Sequence, residues 1–279
     1  MEQDREQQEG DRSGEVELGL PVDEHEEEVS VGGQKVRMRG VYLLPNLLTT
    51  GALFAGFYAI VAGMNGQFEA ASIAIFVAMF FDGLDGRVAR LTNTQSAFGV
   101  QYDSLSDMVS FGVAPALVSF SWALSSMGKF GWAATFIYVA GAALRLARFN
   151  TQAGTTDNSF FRGLASPAAA ALLASLVWSC SDPELGLIGD DIPVAVKFIV
   201  ALVTAGAGLL MVSNFRYYSF KKFDLKKRVP FALMLVLVLV VGVVTIDPPR
   251  ILLLIAISYA LSGPGQLLWQ RLQGRRLSS

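Results

Sequence analysis

The chain has 279 residues, 52% of them hydrophobic and 16% charged, with a mean hydropathy of +0.45, a balance that excludes both an ordinary soluble domain and a disordered chain. Its formal net charge of -2 hides an asymmetry, because twelve of the 24 acidic residues fall in the first thirty positions beside only Arg5 and Arg12. From position 31 onward twenty basic residues face twelve acidic ones, a surplus suited to polar rims that meet anionic headgroups or a phosphate-bearing substrate.

Taken in chain order, residues 1–34 read as an acidic, disordered tail: charge is high, aromatics are absent and no apolar periodicity is sustained. The tail lacks the basic start and apolar core of a secretory signal, so the chain is expected to enter the membrane through its own helices. His25, the single histidine, sits among glutamates and reads as a solvated side chain rather than a metal ligand. After Lys35, Arg37 and Arg39 the character changes. Apolar stretches long enough to cross ~30 Å of hydrocarbon follow one another, near residues 47–64, 68–88, 101–124, 130–149, 164–181, 193–213, 229–246 and 250–269. The expected fold is an all-α polytopic transmembrane bundle of about eight spans, with a core over residues 35–215 and a basic loop plus two further helices over 216–279. Segments such as FAGFYAIVAG and YVAGAALRLA are read as packing through Gly and Ala. Cys180, the one cysteine, reads as a small apolar filler and excludes a disulfide framework or a cysteine-based metal cluster within one chain.

The connections alternate in charge. Arg87 and Arg90, then Arg145, Arg148 and Arg162, then Lys221, Lys222, Lys226, Lys227 and Arg228 fall at every second connection. The positive-inside rule therefore places both termini and the arginine-bearing helix ends on the cytoplasmic side of the cell membrane. The lysine-rich loop reads as an anchor for anionic lipid heads.

Charge is costly at membrane depth, so persisting acidic groups mark the informative segment, FFDGLDGRVARLTNTQSAFGVQYDSLSD. Asp82 and Asp85 are three apart, with Gly86 and Ala89 continuing their stripe. Asp103 and Asp107 are four apart, with Gly99 one turn earlier. Paired as an antiparallel hairpin, the two segments would each present two carboxylates to the other. Four carboxylates at close quarters repel, and Arg90 alone does not neutralise them. Hard divalent cations, Mg²⁺ or Mn²⁺, are the natural remedy where no histidine or thiol is near, and two such ions would clamp a diphosphate. A cation or proton pathway is the rival reading, but it calls for acidic groups spread across the bilayer rather than gathered at one end.

Asp82, Asp85, Gly86, Ala89, Arg90, Gly99, Asp103 and Asp107 match D-x-x-D-G-x-x-A-R-x8-G-x3-D-x3-D at every interval, and here the chain resembles the CDP-alcohol phosphotransferases. The resemblance implies that the first three aspartates bind metal and that the fourth lies near the metals as the base for the alcohol proton. It also implies that Gly86, Ala89 and Arg90 line the site for CDP, and that the protein is a homodimer. Beyond the signature, YLLPNLLTTGALFAGFYAI, DSLSDMVSFGVAPAL, RLARFN and GLASPAAA are similar to the membrane phosphatidylserine synthase branch of that family, which usually has proline where Ala165 stands. PNLLT resembles the segment that closes over the nucleotide, which makes Asn46 and Thr49 expected cytidine contacts.

The resemblance thus implies CDP-diacylglycerol and L-serine as substrates and membrane lipids as surroundings, with no nucleic acid partner. The expected acceptor-side residues are Arg145 and Arg148, three apart on one helix face and next to Asn150, with Ser166, before Pro167 in the next helix, as a further candidate. The alternative acceptors are glycerol 3-phosphate and inositol phosphate. The charge alternation is checked with a cysteine placed at Lys226: impermeant reagent should label it only after the cytoplasmic face is opened, and labelling in intact cells would reverse the topology.

Overall fold

The computed structural model describes residues 28–31, 34–37, 43–92, 94, 96–152, 160–181, 187, 192–218, 238–239 and 242–276. It divides into two units, residues 1–40 and 41–279. In the first, β1 (Glu28–Val31) pairs antiparallel with β2 (Gln34–Arg37), setting Glu28 opposite Arg37 and Val29 opposite Val36. A valine pair and an opposite-charge pair across the ladder favour this register. Residues 28–31 and 34 therefore belong to a strand pair, where an unstructured tail was expected to run to residue 34. The expectation for residues 1–27 lies outside the described residues.

The second unit is helical: α1 (Leu43–Met64), α2 (Phe68–Leu91), α3 (Ala97–Met127), α4 (Lys129–Gln152), α5 (Ser166–Cys180), α6 (Val194–Val212) and α7 (Pro248–Arg276), with a short antiparallel pair, β3 (Phe160–Arg162) and β4 (Arg216–Tyr218), outside the helices. Five of these helices, α1, α3, α4, α6 and α7, are long and apolar enough to cross a membrane, which makes this a multi-pass membrane protein. Helix α2 has 24 residues, ~36 Å at 1.5 Å per residue, and is set apart by its charges, Glu69, Asp82, Asp85, Arg87 and Arg90. Helix α5 has 15 residues and begins at Ser166–Pro167, where proline suits the first turn. These seven helices fall on seven of the expected segments. The remaining one, 229–246, lies largely outside the described residues.

Small residues bring the helices together. Alanines 55, 59 and 62 of α1 pack with Ala71, Ala74, Ile75 and Ala78 of α2 in one buried cluster. On another face of α1, a Cβ on Gly56 would lie 2.8 Å from Ser110 Cα of α3, and one on Gly63 would lie 3.0 Å from Val118 Cγ2. Two hydroxyls one turn apart on α3 stitch the same seam, Ser106 donating to Thr49 O at 3.2 Å and Ser110 to Ala52 O at 3.0 Å. Helices α4 and α6 approach as closely, since a Cβ on Gly208 would lie 2.7 Å from Tyr138 Cα. Close approach of this kind is how helices gain dispersion contact when lipid supplies no hydrophobic drive between them, and it meets the expectation for FAGFYAIVAG and YVAGAALRLA.

Helix ends are closed by local chemistry. Helix α1 ends with Gly66 at φ 76°, Gln67 N–H on Ala62 O at 2.9 Å and Gly66 N–H on Gly63 O at 3.1 Å, the Schellman arrangement that a left-handed glycine permits. Helix α3 starts on Ser96, whose hydroxyl accepts from Gly99 N–H at 2.9 Å, an N-cap. Within α3, residues Met108–Val113 widen into a π-helical turn. The buried Tyr138 hydroxyl of α4 donates to Phe111 O within this turn at 3.0 Å. The α1–α3 seam predicts that Gly56→Leu lowers the thermal midpoint of detergent-solubilised protein, by overpacking worth about 1–3 kcal/mol. Gly206→Ala, where an added Cβ meets nothing within 4 Å, should leave the midpoint near that of wild type.

Candidate active site

The last turns of α2 and the first of α3 meet at one end of the bundle. The loop between them is short because Thr94 N–H caps Ala89 O at 3.0 Å and the Ser96 cap restarts a helix at once. The two segments do not pack as the direct antiparallel hairpin expected from the spacing. Helix α1 packs against both, and backbone contact between α2 and residues 97–107 is sparse. The physical reason is the Gly, Ala and Thr face of α1, which α2 and α3 both approach.

Ligand oxygens of Asp82, Asp85 and Asp103 lie within 4.8 Å of one another. The donor set is all carboxylate oxygen, which fits a hard divalent cation such as Mg²⁺ or Mn²⁺ and suits zinc poorly. Asp85 is 5% exposed and accepts a 2.7 Å hydrogen bond from the hydroxyl of Thr49, itself 4% exposed. In so dry a place that bond fixes the carboxylate rotamer. Thr49, expected at the cytidine, thus has its hydroxyl committed to Asp85. Asp107 stands outside the triad, hydrogen-bonded to Asp82.

Beside the triad opens a cavity of about 260 Å³. All six residues expected to contact the CDP group line it, namely Asn46, Thr49, Gly86, Ala89, Arg90 and Gly99, together with Asp85 and Asp103. Gly99 leaves room at the wall, where an added Cβ would stand 3.1 Å from Ser96 Oγ and 3.5 Å from Asn46 Oδ1. Pro45, Thr94, Ser96 and Val100 also line the cavity and were not anticipated. A serine two residues after Thr94 at a helix start was the available signal, and it reads first as a cap.

On the other side of the triad Arg145 of α4 donates through Nη1 to Ser166 Oγ at 2.6 Å. Asp107 and Asp82 are both among the charges that face this guanidinium. Asn150, one turn and a half further along α4, exchanges hydrogen bonds with Ser104, its Nδ2 donating to Ser104 Oγ at 3.0 Å. Three of the four expected acceptor-side residues are thereby joined to the carboxylate helices or to each other. Arg148 is half-buried and makes no side-chain hydrogen bond or ion pair among the described residues. Ser166 is held from beneath: Gly163, at φ 82°, donates to Phe215 O at 2.9 Å and Leu164 donates to Leu210 O at 3.0 Å, which ties the entry to α5 onto the end of α6.

The arrangement pairs a carboxylate triad and a flanking cavity with a fourth carboxylate beside an arginine, the parts needed for phosphoryl transfer between a nucleotide-linked donor and a second substrate. Comparison with known proteins agrees. The family model for CDP-alcohol phosphatidyltransferases matches residues 42–205. The chain is 42% identical over 182 residues to the CDP-diacylglycerol–serine O-phosphatidyltransferase of Helicobacter pylori, covering 65% of this chain and 74% of that one. It is 33% identical over 240 residues to the protein so named in Mycobacterium bovis, covering 84% and 82%, and 31% identical over 179 residues to that of Bacillus subtilis, covering 64% and 92%. With the signature intact at the centre of the matched region, the chain belongs to the CDP-alcohol phosphatidyltransferase family.

Proposed function

We propose that the protein transfers the phosphatidyl group of CDP-diacylglycerol to the hydroxyl of L-serine and releases CMP. The observation that carries this reading is the cavity lined by Asn46, Gly86, Ala89, Arg90 and Gly99 directly against Asp85 and Asp103. A cytidine and its diphosphate would lie there with the acyl chains in lipid, and the printed names of the relatives supply serine as acceptor. Asp82, Asp85 and Asp103 would hold Mg²⁺ or Mn²⁺, two ions in all, with Asp107 near them. Bound there, such ions neutralise the diphosphate and polarise its phosphorus.

The chain's own residues do the rest. Arg145, steadied by Ser166, receives the serine carboxylate and sets its hydroxyl toward the lipid-side phosphorus. Asp107 takes the hydroxyl proton as the serine oxygen bonds to phosphorus, and the phosphorus–oxygen bond to CMP breaks. Arg148 and Asn150 flank the acceptor entrance. Thr49 holds Asp85 in one rotamer, and Gly86 and Ala89 let the nucleotide approach the backbone. Positioning and charge neutralisation account for most of the acceleration in transfers of this class.

The site faces the cytoplasm in this reading, as the basic loops require, in a cell (inner) membrane protein that works as a homodimer. Residues 35–215 form the catalytic core and 216–279 an appended pair of helices. The same machinery with glycerol 3-phosphate or inositol phosphate as acceptor is the second reading, and a phosphorylated acceptor calls for a denser basic pocket than Arg145 and Arg148 provide. A carboxylate-lined transporter is disfavoured by the clustering of the four aspartates at one end of the bundle.

Chelation provides the first test. EDTA should abolish CMP release from CDP-diacylglycerol plus serine, and added Mn²⁺ or Mg²⁺ should restore it; full activity after rigorous chelation would overturn the metal assignment. The second test separates the aspartates. Asp107→Asn should keep metal-dependent binding of CDP-diacylglycerol by calorimetry while turnover falls by about 10² to 10⁴, the worth of a general base. Asn at Asp82, Asp85 or Asp103 should weaken metal binding together with turnover. Near-normal turnover of Asp107→Asn would move the base elsewhere.

A further inference from the structure

The seam between α1 and α3 carries one more rung beyond the two serines that stitch it. Tyr102, Ser106 and Ser110 stand four apart on α3, and all three reach α1: Ser106 donates to Thr49 O and Ser110 to Ala52 O, while the Tyr102 hydroxyl lies 2.8 Å from Thr50 Oγ1. The direction of this last bond follows from the proton count. Thr50 donates its only hydroxyl proton to Asn46 O at 2.7 Å, so Tyr102 is the donor and Thr50 the relay. Two bonds in series therefore run from α3 through Thr50 to the first turn of α1, ending on the backbone of Asn46.

That turn is one wall of the cavity. Pro45, Asn46 and Thr49 line it from α1, and Gly99, Val100 and Asp103, which flank Tyr102 in sequence, line it from α3. Thr49 and Thr50 project about 100° apart on their helix, the first buried and bonded to Asp85, the second exposed and bonded to Tyr102. Asn46 Oδ1 stands 3.5 Å from where a Cβ on Gly99 would lie, so the width of the cavity here depends on how closely the start of α1 is held to α3. The Asn46 side chain is half-buried and makes no hydrogen bond among the described residues, which leaves its amide for a ligand. Of the two helices α3 is the better anchored at this level. Ser104, next to Asp103, exchanges hydrogen bonds with Asn150 of α4, and the Tyr102 ring stacks on Phe98 one turn earlier, with centroids 5.8 Å apart and planes at 18°. A braced aromatic arm on an anchored helix thus holds the freer start of α1.

We propose that Tyr102 is a positioning residue for the donor nucleotide, holding Asn46 through Thr50 at the cavity wall beside Gly99. The proposal rests on the reading of that cavity as the CDP site and adds to it two residues, Tyr102 and Thr50, neither of which lines it. Arg145 and Ser166 lie on α4 and α5, outside this chain of bonds, so the effect falls on the donor and spares the acceptor.

The test is calorimetric binding of CDP-diacylglycerol with Mn²⁺ to full-length protein in detergent, with CMP-release kinetics and the thermal midpoint measured on the same samples. The proteins are wild type, Tyr102→Phe, Thr50→Val, Thr50→Ser, the double variant Tyr102→Phe with Thr50→Val, and Ser110→Ala. Tyr102→Phe keeps the ring and its stack on Phe98 and should raise the Kd about fivefold, the scale of one neutral hydrogen bond. The serine KM and the turnover at saturation should stay within about twofold. Thr50→Val should weaken binding at least as much, and Thr50→Ser, which keeps the hydroxyl, should stay within about twofold of wild type. Adding Tyr102→Phe to Thr50→Val should change little, because both act through one bond. Ser110→Ala removes a rung about two turns further along α3 and should lower the midpoint while leaving the Kd near that of wild type, which separates positioning from helix packing. A Kd for Tyr102→Phe within about twofold of wild type, an equal rise in the serine KM, full additivity in the double variant, or an equal loss of affinity in Ser110→Ala would each overturn the proposal. Wild type that binds no CDP-diacylglycerol overturns the nucleotide reading and the proposal with it, whereas wild type that binds it no better than Tyr102→Phe overturns the proposal alone.

Discussion

A backbone carbonyl that loses its helical donor inside hydrocarbon must find another, because no water is at hand to take its place. Tyr138 of α4 donates to Phe111 O within the π turn of α3, and Pro264 imposes that condition on Ala260 O of α7, which accepts from Tyr217 of β4 instead. Both tyrosines are fully buried, so the bonds form out of solvent, where an unmet carbonyl would be expensive. The first fixes α4 against the π turn that follows Asp107. The second fixes α7 against the strand that leads back to α5. Interruptions in helices thus become the points at which separate helices are locked in register around the site.

The second constraint is repulsion among carboxylates. Three of them converge within 4.8 Å, and the repulsion between them is relieved by a cation held among them or by a proton on one of them. Rigidity comes from the glycine and serine seam between α1 and α3 and from the Thr49 hydroxyl on Asp85. Helix α1 contributes no ionisable residue to the site. It still decides where α2 and α3 can stand, and so how wide the cavity between them is.

The positions of the four aspartates were legible from spacing alone, since three- and four-residue intervals on helices leave little freedom. The six cavity residues followed from the signature and from PNLLT. What spacing does not encode is which neighbour a polar side chain chooses. Thr49 meets Asp85 across 36 residues of chain and Arg145 meets Ser166 across 21, contacts that exist only once α1 and α4 have packed. The hairpin expected of α2 and α3 failed for the same reason: two segments adjacent in sequence were assumed to be partners, and the small-residue face of α1 competed successfully for both. Ser96 and Thr94 were passed over because a helix cap explains them without a ligand. The strand pair at residues 28–37 was hidden by the charge of the tail it ends.

The π turn at Met108–Val113 has one more consequence. A π turn takes up one more residue than an α turn before the chain comes round to the same side, so it acts as a phase shifter between two stretches of ordinary helix. Upstream, the interval from Gly99 through Asp103 to Asp107 keeps α-helical time and holds three groups on one face. Downstream, the count is reset, and residues such as Val118 meet the core on a different beat. A motif defined by fixed gaps can therefore run without a break only as far as Asp107. Deleting or inserting one residue in the turn would leave composition and hydropathy almost untouched while rotating the outer half of α3 by about 100° relative to its aspartates.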